Sequence, residues 1–272
     1  DTSSNSLLLK LSSRKIVLFV FFFFLALALA LILAIMNTNE RTFISLTSKP
    51  FEVNNPKFEQ LTSEQGFEYD ASLSKDELWL VYRHRKNAEQ PYNLYIKKRD
   101  QQKKIQLTDS TFNDRSPAIS HDKSKVVFFR KGQNTCHLNV LTLDENAQPL
   151  AIEELYQCGA VEHYSNVVWA PDDLSVYFTD RINSSMPYQI YQLHLSTLKV
   201  DEITGREDNY YGDNELALSP SGEQLLFFRN KYWGNNQVFV KNLLTKEQRK
   251  VTELGFLSWT PSWTPDEKGI LF

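Results

Sequence analysis

Glycine is scarce in this chain: 9 in 272 residues, never clustered. That excludes the glycine-rich loops whose backbone amides cradle phosphates. There is no G-x-S-x-G segment, so no strand-to-helix nucleophile elbow. The five histidines, His84, His121, His137, His163 and His194, form no H-x-x-x-H pair and sit at no zinc spacing with cysteine. No metal and no cofactor is expected, and no residue is expected to carry catalysis. Neither sign of charge dominates, with 30 basic against 33 acidic residues, so no nucleic-acid surface is indicated. There are only two cysteines, Cys136 and Cys158, and their spacing is not that of a redox motif.

One thing is present in excess. Ile16 to Met36 is an unbroken run of 21 apolar residues. As a helix it would reach roughly 30 Å, one bilayer core. It has no polar face, and the AIMNTNE that follows offers no small-x-small cleavage site. The run is expected to be an uncleaved transmembrane helix over 16–36. Lys10, Arg14 and Lys15 precede it, which puts 1–15 in the cytoplasm and the rest outside the bilayer. Residues 37–57 read as a polar neck, and 58–272 as the outer domain. Asp1 at the start and a strand-like pattern at Phe272 suggest a fragment truncated at both ends. Ala26, Ala30 and Ala34 share one face of the expected helix and could let two copies dimerise, although alanine is also ordinary filler among leucines.

The outer domain repeats. ASLSKDELWLVY, PAISHDKSKVVFF, VVWAPDDLSVYF, LALSPSGEQLLFF and PSWTPDEKGILF align on Ser74, Ser120, Ala170, Ser219 and Thr264, in steps of 46, 50, 49 and 45. Leu61-Thr62, Leu107-Thr108, Ile203-Thr204 and Val251-Thr252 precede four of the five. NLYIKK, HLNVLTL, QIYQLHL and QVFVKNL follow. Each unit reads as four short antiparallel strands, the signature of a propeller blade. The fold class is therefore all-β: four complete blades and a partial fifth. Asp76, Asp122, Asp172 and Asp266 sit in the repeat turn and are expected to cap it.

Between the cysteines, LNVLTL and IEELYQ flank a turn-like DENAQP. A hairpin there would set Cys136 opposite Cys158, within disulfide reach, and an exported domain would oxidise them. Two unrelated buried thiols are the alternative. Glu68, Asp114, Tyr164, Asp213 and Ser258 lie six residues before the turn openers. At one mouth of a propeller channel the three carboxylates would form an acidic patch for a cation or peptide. Ordinary loop hydrogen bonding is the competing reading.

The pattern LT, spacer, P-x-[WIL]-[ST]-P-[DS]-[DG], β-run resembles the TolB-type propeller repeat over roughly residues 58 to 272. Such propellers usually carry six or seven blades. The basic-flanked anchor, polar neck and first repeat LTSEQGFEYDASLS also resemble the CadC-like membrane-anchored transcription regulators. That resemblance implies a bacterial inner-membrane location and a periplasmic sensor propeller, sometimes with a paired cysteine hairpin. It also implies a cytoplasmic winged-helix domain, absent here, as the only route to DNA. The expected partners are the membrane and a periplasmic protein, peptide or small-molecule ligand. Two rivals stand beside it: the propeller of a membrane-anchored prolyl-oligopeptidase-like serine peptidase, and a TolB-like protein-binding scaffold.

Overall fold

The computed structural model describes residues 58–160, 166–205, 211–232, 234–252 and 260–272. The expected membrane helix, its Ala26, Ala30 and Ala34 face, the neck, Tyr164 and Ser258 lie outside these residues. Four four-stranded antiparallel sheets and the first two strands of a fifth make up the described domain. Blade 1 holds β1 (Phe67–Leu73), β2 (Trp79–Arg85), β3 (Asn93–Lys98) and β4 (Lys104–Gln106). Blade 2 holds β5 (Asn113–Ile119), β6 (Lys125–Lys131), β7 (Cys136–Leu143) and β8 (Pro149–Gln157). Blade 3 holds β9 (Val167–Trp169), β10 (Ser175–Asp180), β11 (Gln189–His194) and β12 (Val200–Glu202). Blade 4 holds β13 (Gly212–Leu218), β14 (Gln224–Asn230), β15 (Asn236–Asn242) and β16 (Gln248–Lys250). Then come β17 (Ser262–Trp263) and β18 (Ile270–Leu271).

The repeat turn folds as its residue types require. Ser74 Oγ accepts the Trp79 amide and donates to Asp76, which also caps the Leu78 amide. Ser120 and Asp122 repeat this, as do Thr264 and Asp266. Asp172 caps Leu174. The hydrogen bonds from Lys123 and Ser74 hold the Asp76 carboxyl down at about 2. The aspartates are turn caps, as the sequence led one to expect. The turn ends on a left-handed residue at Glu77, Lys123, Asp173, Gly222 and Glu267, which explains the single glycine among them.

The threonine pairs serve as latches. Thr108 Oγ1 accepts the Leu94 amide at 2.9 Å, Thr204 Oγ1 that of Ile190 at 3.0 Å, and Thr252 Oγ1 that of Val238 at 3.0 Å. Each fixes the outermost segment to the third strand. Blade 2 has no threonine there. It closes the same end with the Cys136–Cys158 disulfide and a Cys158 amide bond to the Cys136 carbonyl. The hairpin reading of the cysteines is the one the structure adopts.

The core lies between blades. Val81, Leu94 and Ile96 of blade 1 meet Ile119, Val126, Phe128 and Leu141 of blade 2. Phe129, Leu138 and Val140 meet Trp169, Val176, Phe178 and Leu193. Tyr177 and Ile190 meet Leu216, Leu225 and Phe227. Phe228, Val238 and Val240 meet Trp263 and Ile270. Second strands thus bury both faces, which is why Val126 to Phe129 do not alternate. Indole hydrogen bonds cross two of the seams, from Trp169 Nε1 to the Ala118 carbonyl and from Trp263 Nε1 to that of Ala217.

Thr204 is wholly buried, so Thr204→Val leaves the Ile190 amide without its acceptor. A loss of about 1–3 kcal/mol in urea unfolding is expected, with an unchanged slope against denaturant.

Candidate functional site

The innermost strands are β1, β5, β9, β13 and β17, each next to its neighbour in this order. They line an axial cavity of ≈ 750 Å³. Its walls carry Asp70, Arg115, Asn166, Trp169, Glu215, Thr260 and Trp263. Asp70, Arg115 and Glu215 sit at a defect that recurs in blades 1, 2 and 4. Strand register shifts between Tyr69 and Ser72, between Arg115 and Ala118, and between Asn214 and Ala217. At each shift one residue turns left-handed: Asp70, Ser116 and Glu215 at φ 50°, with Thr260 at φ 46° in blade 5. None is a glycine, so each position is strained by about 1–2 kcal/mol. Bulges of this kind bend a strand and redirect a side chain.

The bulge residues also stitch blades together. Asp70 Oδ2 accepts the Ser116 amide at 3.0 Å. Asn166 accepts the Leu216 amide at 3.0 Å and donates to its carbonyl. Glu215 accepts the Thr260 amide. A second belt runs at the turn end of the cavity. Asp173 accepts the His121 and Asp122 amides and binds His121 Nδ1 at 2.7 Å. Lys123 reaches Asp76 at 2.6 Å, and Glu267 takes Ser221.

Two charges in the cavity are treated differently. Asp70 is paired with Arg83 Nε at 3.0 Å. Burial lowers the Arg83 pKa, Asp70 opposes this, and nearby Arg115 adds to it. Glu215 has no cationic partner among the groups that set its pKa. Burial raises that pKa, the Asp70 charge raises it further, and only the Thr260 amide lowers it. A cavity with a desolvated carboxylate, the Arg115 guanidinium and the half-buried Trp263 indole can hold an amphipathic ligand by charge and ring contact. Among the described residues no group of His, Cys, Asp and Glu is placed to hold a metal ion.

The expected acidic patch is organised otherwise. Asp114 is fully buried and bound through both oxygens to Arg130 at 2.8 and 2.9 Å. Asp213 is bound in the same way to Arg229 at 2.6 and 2.8 Å. Each pair spans the first two strands at directly opposed positions. Both aspartates also donate their amides to the preceding blade, to Tyr92 and Tyr188. Gly212, at φ 121°, lets the backbone approach Tyr188, where a Cβ would collide with main-chain atoms. Two of the three carboxylates are thus neutralised by arginines and form no acidic surface. Glu68 stands opposite His84, whose ring binds the Gln65 carbonyl at 2.9 Å, and Glu68 Oε1 has no partner among the described residues. None of these three carboxylates lines the axial cavity. The cavity residues that matter, Asp70, Arg115 and Glu215, were missed because the bulge positions share no residue type.

No protein-family model and no curated protein sequence matches the chain. Solved structures do. TolB from Acinetobacter baumannii superposes with a TM-score of 0.64 at 15% identity, over 77% of this chain and 49% of that one. An oligogalacturonate lyase in complex with manganese gives 0.57 at 14%, over 76% and 59%. A structure from a study of two prolyl endopeptidases gives 0.53 at 17%, over 74% and 31%. The chain spans about half the length of the Acinetobacter protein. These likenesses establish the propeller fold and nothing finer.

Two outcomes are expected from this geometry. Asp213 and Arg229 side chains are only 3% and 5% exposed. Arg229→Ala strands a buried carboxylate and should destabilise by roughly 3–5 kcal/mol, whereas Asp213→Asn with Arg229→Met should lose far less. Denaturant unfolding of the single and double variants compares them. For Glu215 the folded pKa lies above its ordinary value of 4.5. The stability tied to its protonated form is complete below 4.5 and is lost as pH rises through the folded value. Glu215→Gln should therefore be more stable than the parent at pH 7, an advantage that vanishes below the ordinary glutamate range. Unfolding curves at the two pH values check this.

Proposed function

We propose that the chain is the binding part of a single-span signalling protein of the bacterial inner membrane. The propeller lies on the periplasmic side and takes its ligand in the axial cavity. The observation that carries this reading is the set of bulges that turn Asp70, Glu215 and their neighbours inward at the cost of backbone strain. Strained, inward-aimed side chains with incompletely compensated charge are what a binding site keeps and a mere scaffold has no need of. The apolar run 16–36 supports the membrane tether. Through it, occupancy of the cavity would shift the pairing or orientation of two spans. The readout would lie in a cytoplasmic DNA-binding domain outside this chain. A second reading, the propeller of a serine peptidase, is favoured by the fold likeness to the prolyl endopeptidase structure.

The test is genetic. Ala71 and Ser262 line the cavity and are exposed there. Ala71→Trp with Ser262→Trp fills the cavity without touching an ion pair. Transcript profiles are compared for cells carrying the parent, the filled variant and a deletion of the gene, with membrane levels and thermal unfolding of the variant checked. The filled variant is expected to reproduce the deletion profile. A filled variant that behaves like the parent removes the cavity from the mechanism. A deletion without any transcriptional effect, together with loss of a peptidase activity, favours the second reading.

A further inference from the structure

Edge strands are normally kept short because their free amides and carbonyls invite another strand. Three blades obey this: β4, β12 and β16 have 3 residues each. The outermost strand of blade 2 does not. β8 has 9 residues, Pro149–Gln157, and pairs only with β7 in its sheet. Its first six residues are exposed, with Leu150 at 65% and Ile152 at 40%. Both ends of this edge are fixed. At one end the Asp144 carboxylate caps the Asn146 and Gln148 amides of the preceding turn. At the other, the disulfide ties Cys158 to Cys136, and Asp180 of blade 3 accepts from the Tyr156 hydroxyl and the Gly159 amide. Register shifts leave Leu150 and Leu155 as bulged residues and bracket a regular stretch from Ala151 to Glu154. That stretch, exposed and held on both sides, is a short pre-ordered template.

The formal charges of its own hairpin have one sign. The hairpin 136–158 contains Asp144, Glu145, Glu153 and Glu154, and no lysine or arginine. Its one basic group is His137, whose Nε2 lies 3.6 Å from Glu154. Glu153 is the central residue of β8. Antiparallel pairing of two copies about that centre would set Glu153 directly against Glu153 and Glu154 diagonal to Glu154, which disfavours a second copy of this chain. A strand bearing lysine or arginine meets the same carboxylates with attraction, and its apolar residues cover Ile152.

We propose that the free edge of β8 is a docking site for an extended, basic, alternating apolar segment of a partner protein, which adds to blade 2 as a fifth strand. Main-chain hydrogen bonds would hold it, and Glu153 and Glu154 would select its charge. This site lies on the rim of the propeller and is independent of the axial cavity.

The probe is the heptapeptide Lys-Val-Lys-Val-Lys-Val-Lys, with Glu-Val-Glu-Val-Glu-Val-Glu as its charge-reversed counterpart. Hydrogen exchange of the 150–157 amides is followed in the full chain in a nonionic detergent. The basic peptide is expected to slow these amides saturably and the acidic one to leave them unchanged. In Glu153→Lys with Glu154→Lys the affinity for the basic peptide should fall about tenfold and the acidic peptide should begin to protect. Glu153→Gln with Glu154→Gln, a gentler change, should weaken the basic peptide without recruiting the acidic one. Slow exchange of the β6 and β7 amides confirms that each variant is folded. Three results overturn the proposal. They are no protection of β8 by the basic peptide, equal protection by both peptides, and protection that grows with protein concentration when no peptide is present.

Discussion

A four-stranded blade has two apolar faces and nothing within itself to cover them. Everything else in this domain follows from that constraint. Phe128 and Phe129 are adjacent in sequence, point to opposite faces, and are both fully buried, one against blade 1 and the other against blade 3. Phe227 and Phe228 do the same between blades 3 and 5. Removing any one seam would expose two faces at once. The polar belts at the bulges and turns fix how the blades register, while the apolar seams supply most of the attraction. The indole bonds from Trp169 and Trp263 join the two, because each ring packs in a seam and its N–H reaches a carbonyl of the preceding blade.

The same geometry sorts charges into two groups. Asp114 and Asp213 enter at the start of inner strands, where the opposite position on the next strand carries an arginine, and each becomes a closed internal pair. Burial is tolerated there because both oxygens are bound. Blade 3 reverses the pattern. Asp180 stands where Arg130 and Arg229 stand in their blades, burial raises its pKa, and its donors include Gly159 and Tyr156 of the neighbouring hairpin. Two residues beyond Asp213 on the inner strand comes the bulge, and there Glu215 is desolvated with only an amide to support it. Asp114 and Asp213 are saturated by arginines, whereas Glu215 in the cavity is not.

Much of the fold was legible in the residues. The turn openers, their aspartates and the threonine pairs have fixed chemistry at fixed positions, so they show through a period that drifts between 45 and 50 residues. The cysteine hairpin was legible because two alternating runs enclosed a turn of Asp144 to Pro149. The site was not. Asp70, Ser116, Glu215 and Thr260 occupy one structural position with four residue types, since what the bulge requires is a backbone torsion. Nothing in a side-chain pattern reports a torsion that aspartate, serine, glutamate and threonine all adopt. The arginine partners of Asp114 and Asp213 were hidden for another reason. They lie 16 residues away across a hairpin, and only the register of the two strands makes them neighbours.

Blade 2 shows how one change in the repeat opens a further possibility. In blades 1, 3 and 4 a threonine hydroxyl ends a three-residue outer strand by capping the third strand's amide. A latch of one hydrogen bond holds little more than its own turn. A covalent bridge at the same end, worth about 3 kcal/mol for a closed loop of this size, can anchor a longer outer strand against fraying. The Asp180 contacts then fix that anchored end to blade 3 as well. A nine-residue edge follows where the other blades have three. Its length requires protection from self-pairing, which the bulges at Leu150 and Leu155 and the like-charge repulsion of Glu153 and Glu154 between them provide. The same repulsion that keeps copies of this chain apart is attraction for a basic strand, so the edge is closed to one class of partner and open to the other.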